Sequence, residues 1–122
     1  MFLLTCSLTN RKSLEAVEDL SDRIERIKDA PRQCASIILV ATKCDDVENR
    51  QITREELKEF AERNGISFCF EVSAKTGENV VELFTCAAER GTDILLGQKT
   101  LIKKLENGIP VSVSERRTCT IL

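Results

Sequence analysis

The sequence predicts an α/β fold in which three strands alternate with three helices around a parallel, doubly wound sheet. Three observations carry that prediction. Short apolar runs rich in β-branched or aromatic residues recur at 2–8, 36–41 and 67–71. Each is followed by a stretch whose apolar residues step by three and four, the signature of one buried helix face. The 122 residues are enough for one domain and not for two. Strands that alternate with helices need crossover connections, and these make neighbouring strands parallel.

The first strand, 2–8, reads Phe-Leu-Leu-Thr-Cys-Ser-Leu. No basic leader precedes it, and it is too short for a secretory h-region, so it is read as a strand. Ser13 is placed as the cap of the first helix, because its hydroxyl can accept a first-turn amide. Leu14, Val17, Leu20, Ile24 and Ile27 then form one face, and Pro31 ends the helix. The second strand is apolar at every position, as a strand covered on both faces must be. Thr53-Arg54-Glu55-Glu56 is a capping box. The helix it opens should bury Leu57, Phe60 and Ala61, and Asn64-Gly65 should end it. After the third strand, Val80, Leu83, Phe84, Ala87 and Ala88 give the stripe of a third helix. Past Gly91 the stripe fades. The division expected is a folded unit over 1–92 and a flexible tail over 93–122.

Composition removes several functions. The chain has no histidine, so Ser-His and Cys-His nucleophile pairs and histidine metal ligands are excluded. A net charge of -2 gives no reason to expect nucleic acid as a partner. No apolar run approaches the roughly 20 residues of a membrane span. The six cysteines contain no C-x-x-C pair and are read as reduced thiols.

Chemistry is expected where ligands sit in such sheets, at the C-terminal ends of the strands. Two turns fall there. Thr42-Lys43-Cys44-Asp45 follows the second strand directly. Its carboxylate can accept two parallel N–H bonds from a planar base, a pair that one edge of guanine offers and adenine lacks. The methylene stem of Lys43 can lie on the ring. Glu71-Val72-Ser73-Ala74-Lys75 follows the third strand. Ala74 is small enough to let a backbone N–H approach a ring oxygen, Ser73 can fix the loop, and Lys75 can cover the open face of the base. Either string alone is an ordinary strand-end turn. Together, at the same end of neighbouring strands with a capped helix between them, they form a base-reading pair.

With those two motifs the chain resembles the Ras superfamily of small GTPases, in its C-terminal half. The first looks like the [N/T]-K-x-D guanine box, and the second like the S-A-K loop. The resemblance implies a partial P-loop NTPase-type G domain that lacks the N-terminal strands and the phosphate loop. It implies GTP/GDP as ligand. Thr42, Lys43, Asp45, Ser73, Ala74 and Lys75 would be the guanine-binding residues, with Asp45 on the base amino and imino groups. Thr42 stands where Asn is commoner, and so lacks an amide that ties this loop to the phosphate loop. Asp45 and Ser73 are 28 residues apart, room for one helix and one strand, which favours a Ras-like branch over Rho.

The phosphate machinery is missing. No G-x-x-x-x-G-K-[ST] and no D-x-x-G string occurs. The nearest imitation, Gly91 through Gly97-Gln98-Lys99-Thr100, has the wrong glycine spacing. Mg²⁺ is expected for the family, but its ligands have no counterpart here, and no catalytic residue is assigned. Phosphoryl transfer is positioning and electrostatics by those absent parts, so this stretch alone is expected not to hydrolyse GTP.

The end, Cys119-Thr120-Ile121-Leu122, fits a C-a-a-X box whose Leu favours geranylgeranylation of Cys119. A prenyl group would place the chain on the cytoplasmic face of a membrane, with protein regulators or effectors as further partners by resemblance. A second function class stays open: a non-catalytic, membrane-tethered α/β module that binds a protein partner. The open edge of the first strand suggests it, since the family's fourth strand pairs with a first strand absent here.

Overall fold

The computed structural model describes residues 1–27, 37–106 and 120–121. The element order is β1 (Phe2–Ser7), α1 (Arg11–Ile27), β2 (Ile37–Thr42), α2 (Arg54–Arg63), β3 (Phe68–Glu71), α3 (Val80–Glu106) and β4 (Thr120–Ile121). The sheet runs β1-β2-β3-β4 and is parallel at every pairing. Three strands alternating with three helices are therefore observed, and a two-residue β4 is added beside β3. The register sets Leu4 opposite Leu39 and Leu39 opposite Cys69.

Side chains alternate across the pleat, so one face of the sheet receives α1 and α2 and the other receives α3. On the first face Leu4 and Cys6 of β1 and Ile37, Leu39 and Ala41 of β2 pack with Leu14 and Val17 of α1. Leu57, Phe60 and Ala61 of α2 complete that core. On the other face Ile38 and Val40 of β2 and Phe70 of β3 pack with Leu83 and Ala87 of α3. β2 is buried on both faces, which explains its unbroken apolar sequence.

The predicted capping box is present: the Thr53 hydroxyl accepts from the Glu56 amide, and the Glu56 carboxylate accepts from the Thr53 amide. α2 ends at Asn64, and Gly65 follows at φ +64°, where a side chain is strained.

Four expectations are corrected. Ser13 is not the cap of α1: the helix starts earlier, and the Asn10 carboxamide accepts from Lys12 N at 3.1 Å. The Ser13 hydroxyl instead accepts from Ser7 N at 2.8 Å, tying the helix back to β1. The inward row of α1 contains Ser21, 2% exposed, while Leu20 is 46% exposed. On α3, Leu83 and Ala87 face the sheet, but Phe84 is 59% exposed and Ala88 is exposed too, because among the described residues no element covers the outer flank of that helix. Lastly, α3 does not stop near Gly91 but continues through Glu106, so 93–106 is helical. The imitation phosphate loop is thus part of a helix. Pro31, Cys119 and Leu122 lie outside the described residues.

Candidate functional site

The C-terminal ends of β2 and β3 are joined before any ligand is considered. Val72 N donates to Ala41 O at 2.8 Å, and Cys44 N donates to Val72 O at 3.1 Å. These bonds carry the β2–β3 pairing beyond the strands and fix the two exit loops side by side. Lys43 takes φ +62°, a left-handed conformation rare for a residue with a long side chain. That reversal turns the chain out of β2, and Asp46 N donates to Lys43 O across it at 3.2 Å.

The second loop is held mostly by Ser73, which is fully buried. Its amide donates to Glu78 O at 3.1 Å, and its carbonyl accepts from Gly77 N at 2.8 Å. The Ser73 hydroxyl accepts from Thr76 N at 3.1 Å and donates to Asp45 Oδ1 at 2.5 Å. One side chain therefore organises its own loop and aims the carboxylate of the other. That bond is the main reason the Asp45 carboxyl lies below its ordinary value, with Lys75 and Lys43 lowering it further. Asp45 thus stays an anion, the acceptor form, at any pH near neutral.

Behind the loops, Arg50 donates from Nε to Ile52 O at 2.7 Å and pairs with the Glu71 carboxylate at 2.5 Å. The Asn79 side chain donates to Glu71 O at 2.9 Å. These contacts anchor the end of β3 from which Ser73 and Ala74 project.

The two loops enclose an open cavity of about 990 Å³. Thr42, Lys43, Asp45, Ala74 and Lys75 line it, and Ser73 stands behind Asp45. The Thr42 hydroxyl is committed to Cys6 O at 2.9 Å, so this residue ties β2 to β1. Lys43 and Lys75 enter no ion pair, and the Ala74 amide meets no acceptor, among the described residues. The cavity therefore offers one aimed carboxylate, one open backbone donor and two long aliphatic stems. That set suits a planar, hydrogen-bonding ring.

Sequence reasoning missed the outer wall, made of Asp46, Val47 and Glu48. Its only sequence signal is adjacency to Asp45, since nothing in those residue types requires that the chain stay near the cavity. Asp46 accepts from Asn49 N and Nδ2, which curls the segment over the opening. Cys44, between Lys43 and Asp45, donates its thiol to Glu78 at 3.5 Å. Partial burial, with Glu78, Asp45 and Glu71 nearby, pushes that thiol up to about 11. It is a neutral thiol in an acidic neighbourhood.

Comparison with known proteins supplies an independent test. The Ras family model matches residues 1–92. The Ras-like protein rasV of Dictyostelium discoideum is 32% identical over 125 residues, covering 99% of this chain and 53% of rasV. The Ras-like protein rasU of the same organism is 38% identical over 88 residues, covering 72% of this chain and 39% of rasU. The Ras-related protein Rab-3C of Bos taurus is 33% identical over 117 residues, covering 96% of this chain and 47% of Rab-3C. The chain spans about half the length of the curated relatives it matches.

Proposed function

The chain belongs to the Ras family, and from that premise we propose that it is the guanine-recognising, C-terminal half of a small GTPase, with Cys119 as its lipid-anchoring residue. The observation that carries the reading is the hydrogen bond from Ser73 to Asp45, which joins the two exit loops at one cavity. Asp45 accepts from the amino and imino groups of guanine. The Ala74 amide donates to the ring oxygen, and the stems of Lys43 and Lys75 cover the two faces of the base.

The residues fit the base and not the rest of the nucleotide. This chain carries no phosphate loop and none of the family's Mg²⁺ ligands, so no step of GTP hydrolysis is derived for it. Two charge-assisted hydrogen bonds contribute about 1.5–3 kcal/mol each. Association and ordering costs remove much of that. The 122-residue chain is therefore expected to bind GTP with a Kd of about 1 mM or weaker and to release no phosphate. Isothermal titration with GTP and ATP tests this: measurable GTP heat without ATP heat supports the reading, and equal binding of both overturns it. A micromolar GTP Kd overturns the claim that the base supplies the affinity.

Anchoring rests on the C-a-a-X string alone. Incubation with a geranylgeranyl transferase and its lipid diphosphate should add one lipid to wild type and none to Cys119→Ser. The second reading, a membrane-tethered partner-binding module, is favoured by β1, whose outer edge pairs with no strand among the described residues. Phe2 and Leu3 beside that edge are 46% and 38% exposed.

A further inference from the structure

Resting on the reading of Cys119 as the lipid-anchoring residue, we propose that the outer edge of β3 is a seat for the chain's own end, and that Thr120 and Ile121, while paired there, withhold Cys119 from lipid transfer. Thr120 lies opposite Phe68 and Ile121 opposite Cys69 in a parallel ladder. These are two of the four residues of the C-a-a-X string. Backbone paired with β3 is not free to lie extended in the pocket of a transferase, so seat and enzyme compete for the same residues. The transfer joins the Cys119 sulfur to C1 of geranylgeranyl diphosphate, breaks the bond from C1 to oxygen, releases diphosphate and leaves the thiol proton to solvent. The fold does not alter that chemistry; it sets how often the end is available.

Position and chain length suit the seat. An unpaired sheet edge invites another strand, and Thr120 and Ile121 are both β-branched, a residue type that suits one. Gly91 of α3 stands beside Met1, at the end of the sheet where the strands begin. The neighbouring Arg90 guanidinium lies 4.4 Å from the centre of the Phe68 ring. Phe68 is the first residue of β3 and the one opposite Thr120. The helix runs on to Glu106, about 22 Å past Gly91. The residues from 107 to 119 can reach at most about 43–47 Å, enough to come back to Phe68.

The seat is weak, which makes it a control and not a lock. The ladder is two residues long. α3 packs on the face opposite α1 and α2, while the strand order continues in one direction. A crossover through α3 therefore has the opposite hand to the two before it, and that hand is rare in parallel sheets. An end docked about nine-tenths of the time reacts about tenfold more slowly, and one docked about two-thirds of the time about threefold.

The test compares geranylgeranyl transfer to the 122-residue chain with transfer to a synthetic peptide of residues 113–122, which carries the same string and has no β3. With a geranylgeranyl transferase and its lipid diphosphate, kcat/KM for the chain should be about three- to tenfold below that for the peptide. Thr120→Pro is then made in both, which cancels its direct effect on the enzyme. Proline has no N–H for a ladder and is held out of paired strands, so chain and peptide should now agree within about twofold. A wild-type peptide that takes no lipid overturns the C-a-a-X reading and this inference with it. Equal rates for the wild-type chain and peptide leave that reading standing and overturn the seat. A deficit that persists in Thr120→Pro comes from the bulk of the domain, which also overturns the seat. Amide hydrogen exchange gives a readout free of the enzyme. In Thr120→Pro the Phe68–Glu71 amides should exchange several-fold faster, while Leu4 and Leu39, paired on the far side of the sheet, keep their rates. Unchanged exchange along β3 overturns the proposal, whatever the proline does to the transferase.

Discussion

The two faces of the sheet are built differently. The α1/α2 face is closed: Leu57, Ile52, Leu39 and Cys69 are all fully buried, and two helices cover it side by side. The α3 face is half covered. Ile38, Val40 and Phe70 are sealed under Leu83 and Ala87, but Leu3 is 38% exposed and Phe84 59% exposed. The difference follows from numbers of elements, since one helix spans about 10 Å and cannot cover three strands. The candidate site lies at the rim where the faces meet, because Asp45 leads toward α2 and Ser73 leads toward α3.

The largest expected effects separate the covered and uncovered parts of the open face. Phe70→Ala removes a fully buried ring and should cost about 3–5 kcal/mol. Phe84→Ala, on the same face, should change stability by less than about 0.5 kcal/mol. Urea melts followed by far-UV circular dichroism check both, since the chain has no Trp or Tyr to report by fluorescence. If the two variants lose the same stability, Phe84 is covered in solution and the open face is not open.

Next comes the ion pair behind the site. Arg50 and Glu71 side chains are 25% and 14% exposed, so removing one partner strands a carboxylate that is mostly out of water. Arg50→Ala should cost about 2 kcal/mol, less than a fully buried pair would. Arg63→Ala, which breaks the exposed pair with Glu18, should cost no more than about 0.5 kcal/mol. Equal costs would mean that the Arg50 pair is solvated and does not anchor the end of β3. Thr53→Ala, on the closed face, should cost about 1 kcal/mol by opening the capping box.

What was legible in the sequence divides along the same line. The capping box was readable because its four residues satisfy one another locally. β2 was readable because burial on both faces forces an unbroken apolar run. Ser13 was misread because Asn10 and Ser13 are both competent caps, and only the Ser7 amide, brought near by the β1–α1 turn, decides between them. Leu20 and Ser21 sit one step apart on α1, and the phase that buries Ser21 is set by the sheet and not by the helix. Phe84 fits the α3 stripe, yet a stripe says which residues share a face and not whether anything covers it. That Lys43, Asp45, Ala74 and Lys75 line one cavity was legible because strand-end turns converge in a parallel sheet. The Arg50–Glu71 pair and the Asp46–Glu48 wall were not, because both depend on the path of a loop between elements.

The smallest effect probes the bond that crosses from one face to the other. The Ser73 hydroxyl holds the Asp45 carboxyl below its ordinary value, more than Lys75 or Lys43 does. A carboxyl lowered in the fold contributes stability above its unfolded value, about 3.9, and loses that contribution as pH falls through its folded value. The loss is therefore confined to acid, and neutral pH leaves it untouched. Ser73→Ala removes the donor, so the Asp45 midpoint should rise toward the ordinary aspartate range, read from its carboxyl ¹³C shift. The Ser73-dependent share of acid stability should vanish with it. If the midpoint stays low in Ser73→Ala, the lysines alone set it. The loop after β2 and the loop after β3 then rest on the Val72 and Cys44 backbone bonds, the Cys44–Glu78 contact and the Arg50–Glu71 pair. In that case the open face could loosen without disturbing the carboxylate, and the site would belong to the closed face.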